Sequence, residues 1–562
     1  MFLHLVILII ICKDTKNILF RGETLLWSRI LHSFILVVII LRGKLSFSSD
    51  TPMERKDELE WLKCKRYMHL DLPLEGKEVY RIISYVKNSN AVSKHAFLPL
   101  IRRTLISYPY RKDEKTGERK CKAKKRLLTY ASHEDSAIFA YYAYNLQKKY
   151  ESYLVQNNLS DVVTAYRKIP CEKREGNKCS IDFANDVFRC IKEKLAVEKS
   201  LAVITFDIKS FFNNLDHKLL KRNWGRILGE EQLPSDEYAV YKNVVHYSYV
   251  DDLAVFKLMK NNIVCRKKNG DKIERKVKNK AFLRDKGALA YCLKRNISQI
   301  RKNGLIKTKS KDSEPNKGIP QGLPISSVLA NLYMMDFDLD VNHKLFEIGA
   351  VYRRYSDDII VVCPKDKGEE LKLWIQNKIK EVGLEIQDRK TNLYFFTREG
   401  DKIKCEHSTD GTCKKLEYLG FSFDGNSIML KNSSVGKFYY KMHKTLFRAI
   451  HYASHMNNST RGKIFEHRLI SRFTYAGSHP HQIYKRSADG KSFYTMNGMK
   501  TYGNYLTYVS KASAIMEEPK IKRQLRRCTS KLSKSIKQAK VQVSKNLYYK
   551  ALDEIMRYGR TY

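Results

Sequence analysis

The chain has 562 residues, 105 Lys+Arg against 60 Asp+Glu, a net charge of +45 and a 43% hydrophobic share. That share is enough to bury cores, which excludes a disordered polycation, and the length excludes a small disulfide scaffold. A basic excess of this size needs a polyanionic partner, nucleic acid foremost, because self-repulsion would otherwise oppose compaction.

In chain order, two apolar runs come first, Phe2 to Cys12 and Ile30 to Leu41. Each is shorter than the roughly 20 residues of a membrane-spanning helix. No basic stretch precedes the first run, so a signal peptide is disfavoured. At Met53 the character changes to that of an amphipathic soluble helix, starting at Glu54. The expectation is that residues 1–52 form a hydrophobic extension outside the native protein, with no membrane contact unless they are native. From 54 to about 200 the pattern is mostly helical, broken by a basic hairpin-like insert at Arg111 to Arg126. Leu201 to Phe206 reads as a strand, and a mixed region with a lysine-rich stretch, Arg266 to Lys280, runs to 317. Between 318 and 425 short β-like runs (Ile359 to Val362, Tyr418 to Phe423) alternate with a helix at Glu369 to Val382. From about 430 the chain reads as helical. Its last helix, Lys520 to Lys550, has eleven Lys/Arg and no acid, with Ile521, Leu525, Cys528, Leu532, Ile536, Ala539 and Val543 at steps of three or four. One face is apolar and the other cationic, which suits packing on a core with phosphates outside.

Twelve cysteines without a CxxC pair fit a reducing, cytoplasmic setting. Cys405, His407 and Cys413 lack the paired spacing of a zinc site and read as a polar hairpin tip.

The chemistry is carried by acids. Asp207 ends the strand that begins at Leu201, a weak signal alone. Asp357 and Asp358 lie between two strands in Tyr352 to Val362. Adjacent carboxylates repel, and burying them in a hairpin is costly without a cation. Three further elements follow a definite order: Gly318 to Ser327 with Pro320-Gln321-Gly322, Leu384 to Asn392 with Lys390, and Leu416 to Phe421 with Leu419-Gly420-Phe421.

In this order and spacing, the five elements resemble the successive palm motifs of reverse transcriptases, over about residues 120–425. The resemblance implies an α+β right-hand polymerase fold: fingers within 53–200, a palm over 201–425 with an insert at 221–317, and a helical basic thumb and C-terminal region over 426–562. It implies RNA-directed DNA synthesis with two Mg²⁺ ions held by Asp207, Asp357 and Asp358. Lys390 resembles the lysine that protonates the leaving pyrophosphate, and Phe212 the aromatic gate that excludes a 2′-hydroxyl, with Phe211 as the alternative if the register differs. Gln321 and Gly322 resemble the loop supporting the incoming nucleotide. Lys125, Arg126 and Arg167 resemble its triphosphate contacts, and Leu419, Gly420 and Phe421 the primer grip.

No RNase H, integrase or His-Asn-His nuclease pattern is visible, which disfavours retroviral and endonuclease-bearing intron enzymes. Asp207 to His217 resembles bacterial retron and group II relatives. Trp61 to Asp71, Tyr166 to Ile169 and Asn504 to Val509 resemble stand-alone bacterial reverse transcriptases of the unknown groups, several of which act in antiviral defence against phages. The implied partners are a non-coding RNA template, deoxynucleoside triphosphates and a DNA product, with the thumb helix and the 266–280 insert on RNA backbone. Two alternatives stay open: template-independent or protein-primed synthesis on the same palm, and an RNA-binding maturase or scaffold. Homo-oligomerisation is also left open.

Overall fold

The strand expected at Leu201 to Phe206 is the centre of the sheet that positions the site. The computed structural model describes residues 59–558 apart from 109, 113–118, 122, 268–270, 279, 281–287, 292–296, 312–313, 409–410, 412, 456–460, 480–481, 487–492 and 501–502. The extension 1–52, the start at Met53 and the first residues of the helix expected from Glu54 lie outside the described residues. Two units separate at Lys63. Of the first, residues 59–61 form a turn. All that follows concerns the second.

Twelve strands and ten helices carry the argument. The strands are β1 (Leu100–Ser107), β2 (Lys124–Tyr130), β3 (Ser200–Asp207), β4 (Ser248–Asp251), β5 (Lys307–Thr308), β6 (Val351–Tyr355), β7 (Asp358–Pro364), β8 (Asn392–Glu399), β9 (Lys402–His407), β10 (Leu416–Tyr418), β11 (Phe421–Phe423) and β12 (Ile428–Leu430). The helices are α1 (His133–Gln156), α2 (Ser180–Val197), α3 (Ser326–Tyr333), α4 (Met335–Glu347), α5 (Gly368–Glu381), α6 (Asn432–Ala453), α7 (Glu466–Phe473), α8 (Tyr505–Ile515), α9 (Pro519–Arg523) and α10 (Cys528–Tyr558).

The central sheet has the order β6-β7-β3-β8-β9, and all its neighbours are antiparallel. β3 is apolar on both faces because both are covered. Leu201 and Val203 join Ile360, Val362, Tyr394 and Phe396 in a core shared with α2, the β10-β11-β12 sheet and α6 to α10. Ala202 faces the other way, and α5 starts so close to it that a Cβ at Gly368 would stand 2.8 Å from the Ala202 Cβ. Alternation puts Thr205 and Asp207 on the face of Leu201 and Val203. The hydrophobic row therefore ends in a carboxylate at the sheet's rim.

A second sheet, β5-β4-β1-β2, lies over a separate core that includes Leu70, Ile101, Val250 and Val255. It is held to the start of α1, where Asp71 accepts from the His133 and Glu134 backbone N–H groups at 2.7 and 3.2 Å and stands 2.8 Å from His133 Nδ1. Tyr67 stacks on His133 at 4.3 Å. Tyr67 and Asp71 thus have a structural duty in anchoring α1.

Three expectations change. The expected basic hairpin divides: Tyr110–Lys112 pairs with Arg119–Cys121, while Lys124 to Arg126 belong to β2. The region after 430 is not wholly helical, since Gln482–Arg486 pairs with Phe493–Lys500. The last helix is two, because the chain turns over Gln524 to Arg527 between α9 and α10. The expected apolar stripe is nonetheless buried throughout, from Ile521 to Val543. Cys405 and His407 fall within β9, with Cys405 buried in the main core and His407 Nε2 3.2 Å from Asn392 Oδ1. Central sheet, finger sheet and helical thumb make the right-hand polymerase fold.

Candidate active site

Asp207 and Asp358 are register partners at the ends of β3 and β7, so they share a face. Tyr355 pairs with Asp358, which leaves Ser356 and Asp357 as a two-residue turn. On the other side of Asp207, the chain from 385 to 390 runs alongside: Lys209 N donates to Glu385 O at 2.8 Å, and Gln387 N to Asp207 O at 2.8 Å. That segment ends in a short 3₁₀ turn, Asp388–Lys390, and brings Lys390 Nζ to 2.7 Å from Asp207 Oδ2.

The electrostatics follow from this crowding. Burial, then repulsion from Asp357 and Asp207, pushes Asp358 up to about 6. Burial and the Asp207 charge also raise Asp357, against hydrogen bonds that oppose the shift. Among the described residues, no three carboxylate, imidazole or thiolate groups stand close enough together to hold an ion as placed. Like charges spread apart, and the protein's own counter-charge at Asp207 is Lys390. The donor set itself consists of hard carboxylate oxygens on one rim, which is the chemistry a divalent magnesium ion takes.

What holds the acidic turn in place was invisible in the motif. Ser356 has φ 61°, a left-handed conformation that is costly for a residue with a side chain. Its hydroxyl lies 3.0 Å from Tyr166 Oη, and Tyr166 is itself left-handed, φ 65°. Behind the turn, Arg354 is fully buried and paired with Asp338 of α4, Nε to Oδ1 at 2.7 Å and Nη2 to Oδ2 at 2.5 Å. Tyr352 Oη donates to the same Asp338 at 2.7 Å. Arg354 also reaches Asn331 Oδ1 and Ser356 O, each at 3.3 Å. Its backbone exchanges hydrogen bonds with Val162 O and Thr164 N. One buried ion pair therefore ties the turn to α4 and to the segment before Tyr166. The available signal was register: in β6, Tyr352 and Arg354 alternate inward, and an inward arginine demands an anion.

The residues expected around the nucleotide divide into those brought together and one that is not. Phe211 is buried and Phe212 half-buried beside it, ring centroids 5.6 Å apart, so of the two Phe212 is the one left accessible. The Gly318 to Ser327 loop bridges this point and the finger sheet. Ile319 N donates to Phe212 O at 2.8 Å, and Thr129 N of β2 donates to Gln321 O at 3.0 Å. Gly322 has φ 128°, and a Cβ there would meet Thr129 O at 2.3 Å. The close approach this glycine permits is thus to the backbone of β2. Lys125 and Arg126 stand exposed further along that strand, opposite Ile106 and Leu105.

Arg167 is a correction. Its Nε lies 3.0 Å from both oxygens of Glu151, Nη2 is 2.6 Å from Oε2, and Nη1 donates to the carbonyls of Ser160 and Val163. With its side chain 6% exposed, it is committed to fixing the segment before Tyr166 against α1 and is not presented to a triphosphate.

The Leu419-Gly420 turn joins β10 to β11, with Tyr418 opposite Phe421. Positive φ at both central residues, 43° and 92°, is the hairpin geometry that matches strand twist. Lys431 N donates to Gly420 O at 3.0 Å. Lys431 also lowers the Asp358 carboxyl against the larger raising effects, so this hairpin neighbours the acidic rim. Beside Gly420 opens a cavity of about 670 Å³ lined by Lys437 and Lys441 of α6, Arg472 of α7, and Tyr505 and Tyr508 of α8.

A palm that sets two acids opposite each other across paired strands, with a third in the turn, defines a nucleotidyltransferase of the polymerase class. The family model described as reverse transcriptase (RNA-dependent DNA polymerase) matches residues 143–423, half of the chain, and the chain belongs to that family. Similar solved structures include the apo telomerase of Candida tropicalis truncated from its C-terminal domain, at 12% identity and TM-score 0.33 over 59% of this chain and 55% of that one. The telomerase of Candida albicans in complex with a TWJ fragment of telomeric RNA is similar at 11% identity and TM-score 0.31, over 70% and 58%. This chain thus spans little more than half of either telomerase chain. No curated protein matches the sequence.

Proposed function

We propose that this reverse transcriptase copies a dedicated structured non-coding RNA into DNA, in bacterial defence against phage. The observation that carries the polymerase reading is the rim where Asp207 and Asp358 face each other with Asp357 in the turn between strands. When bound, two Mg²⁺ ions held by these acids supply charge stabilisation to the attacking and leaving oxygens. Lys390, within hydrogen-bonding distance of Asp207, is the proton donor to the departing pyrophosphate. Phe212 closes the space a 2′-hydroxyl would need. Gln321 and Gly322 brace the nascent base pair against β2, from which Lys125 and Arg126 meet the triphosphate. Leu419, Gly420 and Phe421 hold the primer end. The net charge of +45 supports a large RNA partner. The resemblances at Trp61 to Asp71, Tyr166 to Ile169 and Asn504 to Val509 support the defence role.

Sequencing the RNA and DNA that copurify with the wild type and with Asp357→Ala tests this. Complementary DNA in the wild type alone is expected, with one RNA species enriched in both. Homopolymeric DNA would replace templated with untemplated synthesis, and RNA without DNA in both would make the protein a scaffold. Phage plating on cells carrying either form tests the defence role, which equal plating would refute.

A further inference from the structure

Between Lys520 and Lys545, ten Lys and Arg side chains are exposed and no carboxylate occurs. Among the described residues only one of the ten, Lys540, meets an acid, Glu466 of α7. On α10 Cys528, Leu532, Ile536 and Ala539 pack into the main core and Val543 continues the buried row, so Lys531, Lys534, Lys537 and Lys545, out of phase with it, form a ridge facing solvent.

The direction of this ridge is fixed by what α10 packs on. α6 contributes Phe438, Met442 and Leu446 to the same core. Lys531 Nζ sits 4.5 Å above the Tyr439 ring, and Asn546 and Lys550 bond Ser454 at the end of α6. Lys437 and Lys441, on another side of α6, line the cavity at the Gly420 turn. Two helices joined through their apolar rows turn their solvent faces apart. The α10 ridge consequently points away from the cavity beside the primer-grip turn.

We infer that α9 and α10 form a second nucleic-acid surface, outside the polymerase cleft, that holds a double-helical part of the RNA whose single-stranded part is copied. The inference rests on the RNA-copying reading above. Cys528 to Lys545 is roughly 27 Å of helix, a length over which even a B-form duplex presents about 16 phosphates. A membrane surface fits poorly: from Lys520 to Lys545 the exposed residues are Lys, Arg, Ser, Thr and Gln, with Val541 the one apolar side chain among them, too little to insert. Duplex RNA is recognised through backbone and shape, which a row of cations supplies without base readout.

The test uses the full chain already holding a short primer–template, so that the cleft is filled, and measures binding of a blunt RNA duplex of about 20 base pairs across a salt series. Lys534→Gln, Lys537→Gln and Lys545→Gln together should weaken duplex binding at least about tenfold and reduce the salt slope by about 2 to 3. Extension of the short primer–template should stay within about twofold, since none of the three side chains faces the cleft. Unchanged duplex affinity and slope would overturn the proposal. So would equal loss of primer extension, which would merge the ridge with the cleft, or selective loss of binding to phosphatidylserine vesicles, which would make it a membrane surface. A wild type that extends no primer would instead refute the copying reading, and duplex binding would still be read separately.

Discussion

Asp338→Asn removes one charge from the pair that holds the acidic turn and leaves the Arg354 guanidinium, fully buried, without its anion. With charge centres about 4 Å apart and an effective dielectric near 20, the lost attraction is about 4 kcal/mol. This agrees with the ~3–5 kcal/mol lost when one partner of a buried pair is removed. The hairpin between Arg354 and Asp358 should also shift, and a displacement near 1 Å costs about 100-fold in rate. Urea unfolding followed by far-ultraviolet circular dichroism reads the stability, and steady-state primer extension reads the rate. The expected result is a destabilisation of about 3–5 kcal/mol and a kcat about 10- to 100-fold lower. Pairing Asp338→Leu with Arg354→Met should recover most of the stability, leaving about 1–3 kcal/mol for the orphaned Tyr352 hydroxyl. A single variant within about 1 kcal/mol of wild type, or a double variant as unstable as the sum of the singles, would refute the reasoning.

Asp207→Asn or Asp357→Asn should lower primer extension by on the order of 10³ or more while leaving the unfolding midpoint unchanged or raised, because crowded like charges are relieved. Phe212→Ala should raise ribonucleotide incorporation, scored by alkaline cleavage of the product, whereas Phe211→Ala should chiefly destabilise. Tyr166→Phe removes the hydroxyl that meets Ser356 and should cost about 1 kcal/mol, with kcat falling several-fold and the KM for deoxynucleotide little changed. Glu237 is pushed up from 4.5 to about 7 by burial, although the Trp224 indole donates to it at 3.0 Å. The folded chain therefore keeps a proton that the unfolded chain releases between those values. Stability should fall as pH rises through that window, by on the order of 3 kcal/mol, and level off above it. Glu237→Gln, whose amide oxygen still accepts from Trp224, should remove the part of that slope above about pH 6 in thermal melts at pH 5 to 8, the raised Asp358 carboxyl contributing below it.

The motif residues were legible in the amino-acid sequence because each combines a local pattern with a chemical demand: an apolar strand ending in Asp207, paired acids between β runs, a lysine after a helix. The strand Ser200–Asp207 and the helix Gly368–Glu381 fall within two residues of their expected limits. The ribbon Gln482–Arg486 with Phe493–Lys500 was missed, as was the break before α10. In the second case a continuous three-to-four periodicity runs across the turn at Gln524 to Arg527, because burial on both sides of a turn preserves the hydrophobic spacing.

By itself, the sequence determined the family, the acidic rim, the apolar row of the last helices and the need for a polyanion, since these depend on residue type and near-neighbour spacing. Only the tertiary structure decided which partner each charge meets. Arg167 and Arg126 look alike in the sequence, yet one is consumed by Glu151 of α1 and the other stands exposed on β2. Arg354 finds Asp338 from a different element, and Tyr166 reaches Ser356 across 190 positions. Charges act over a few ångströms of space, and spacing along the chain does not specify those distances until the sheets and helices have packed.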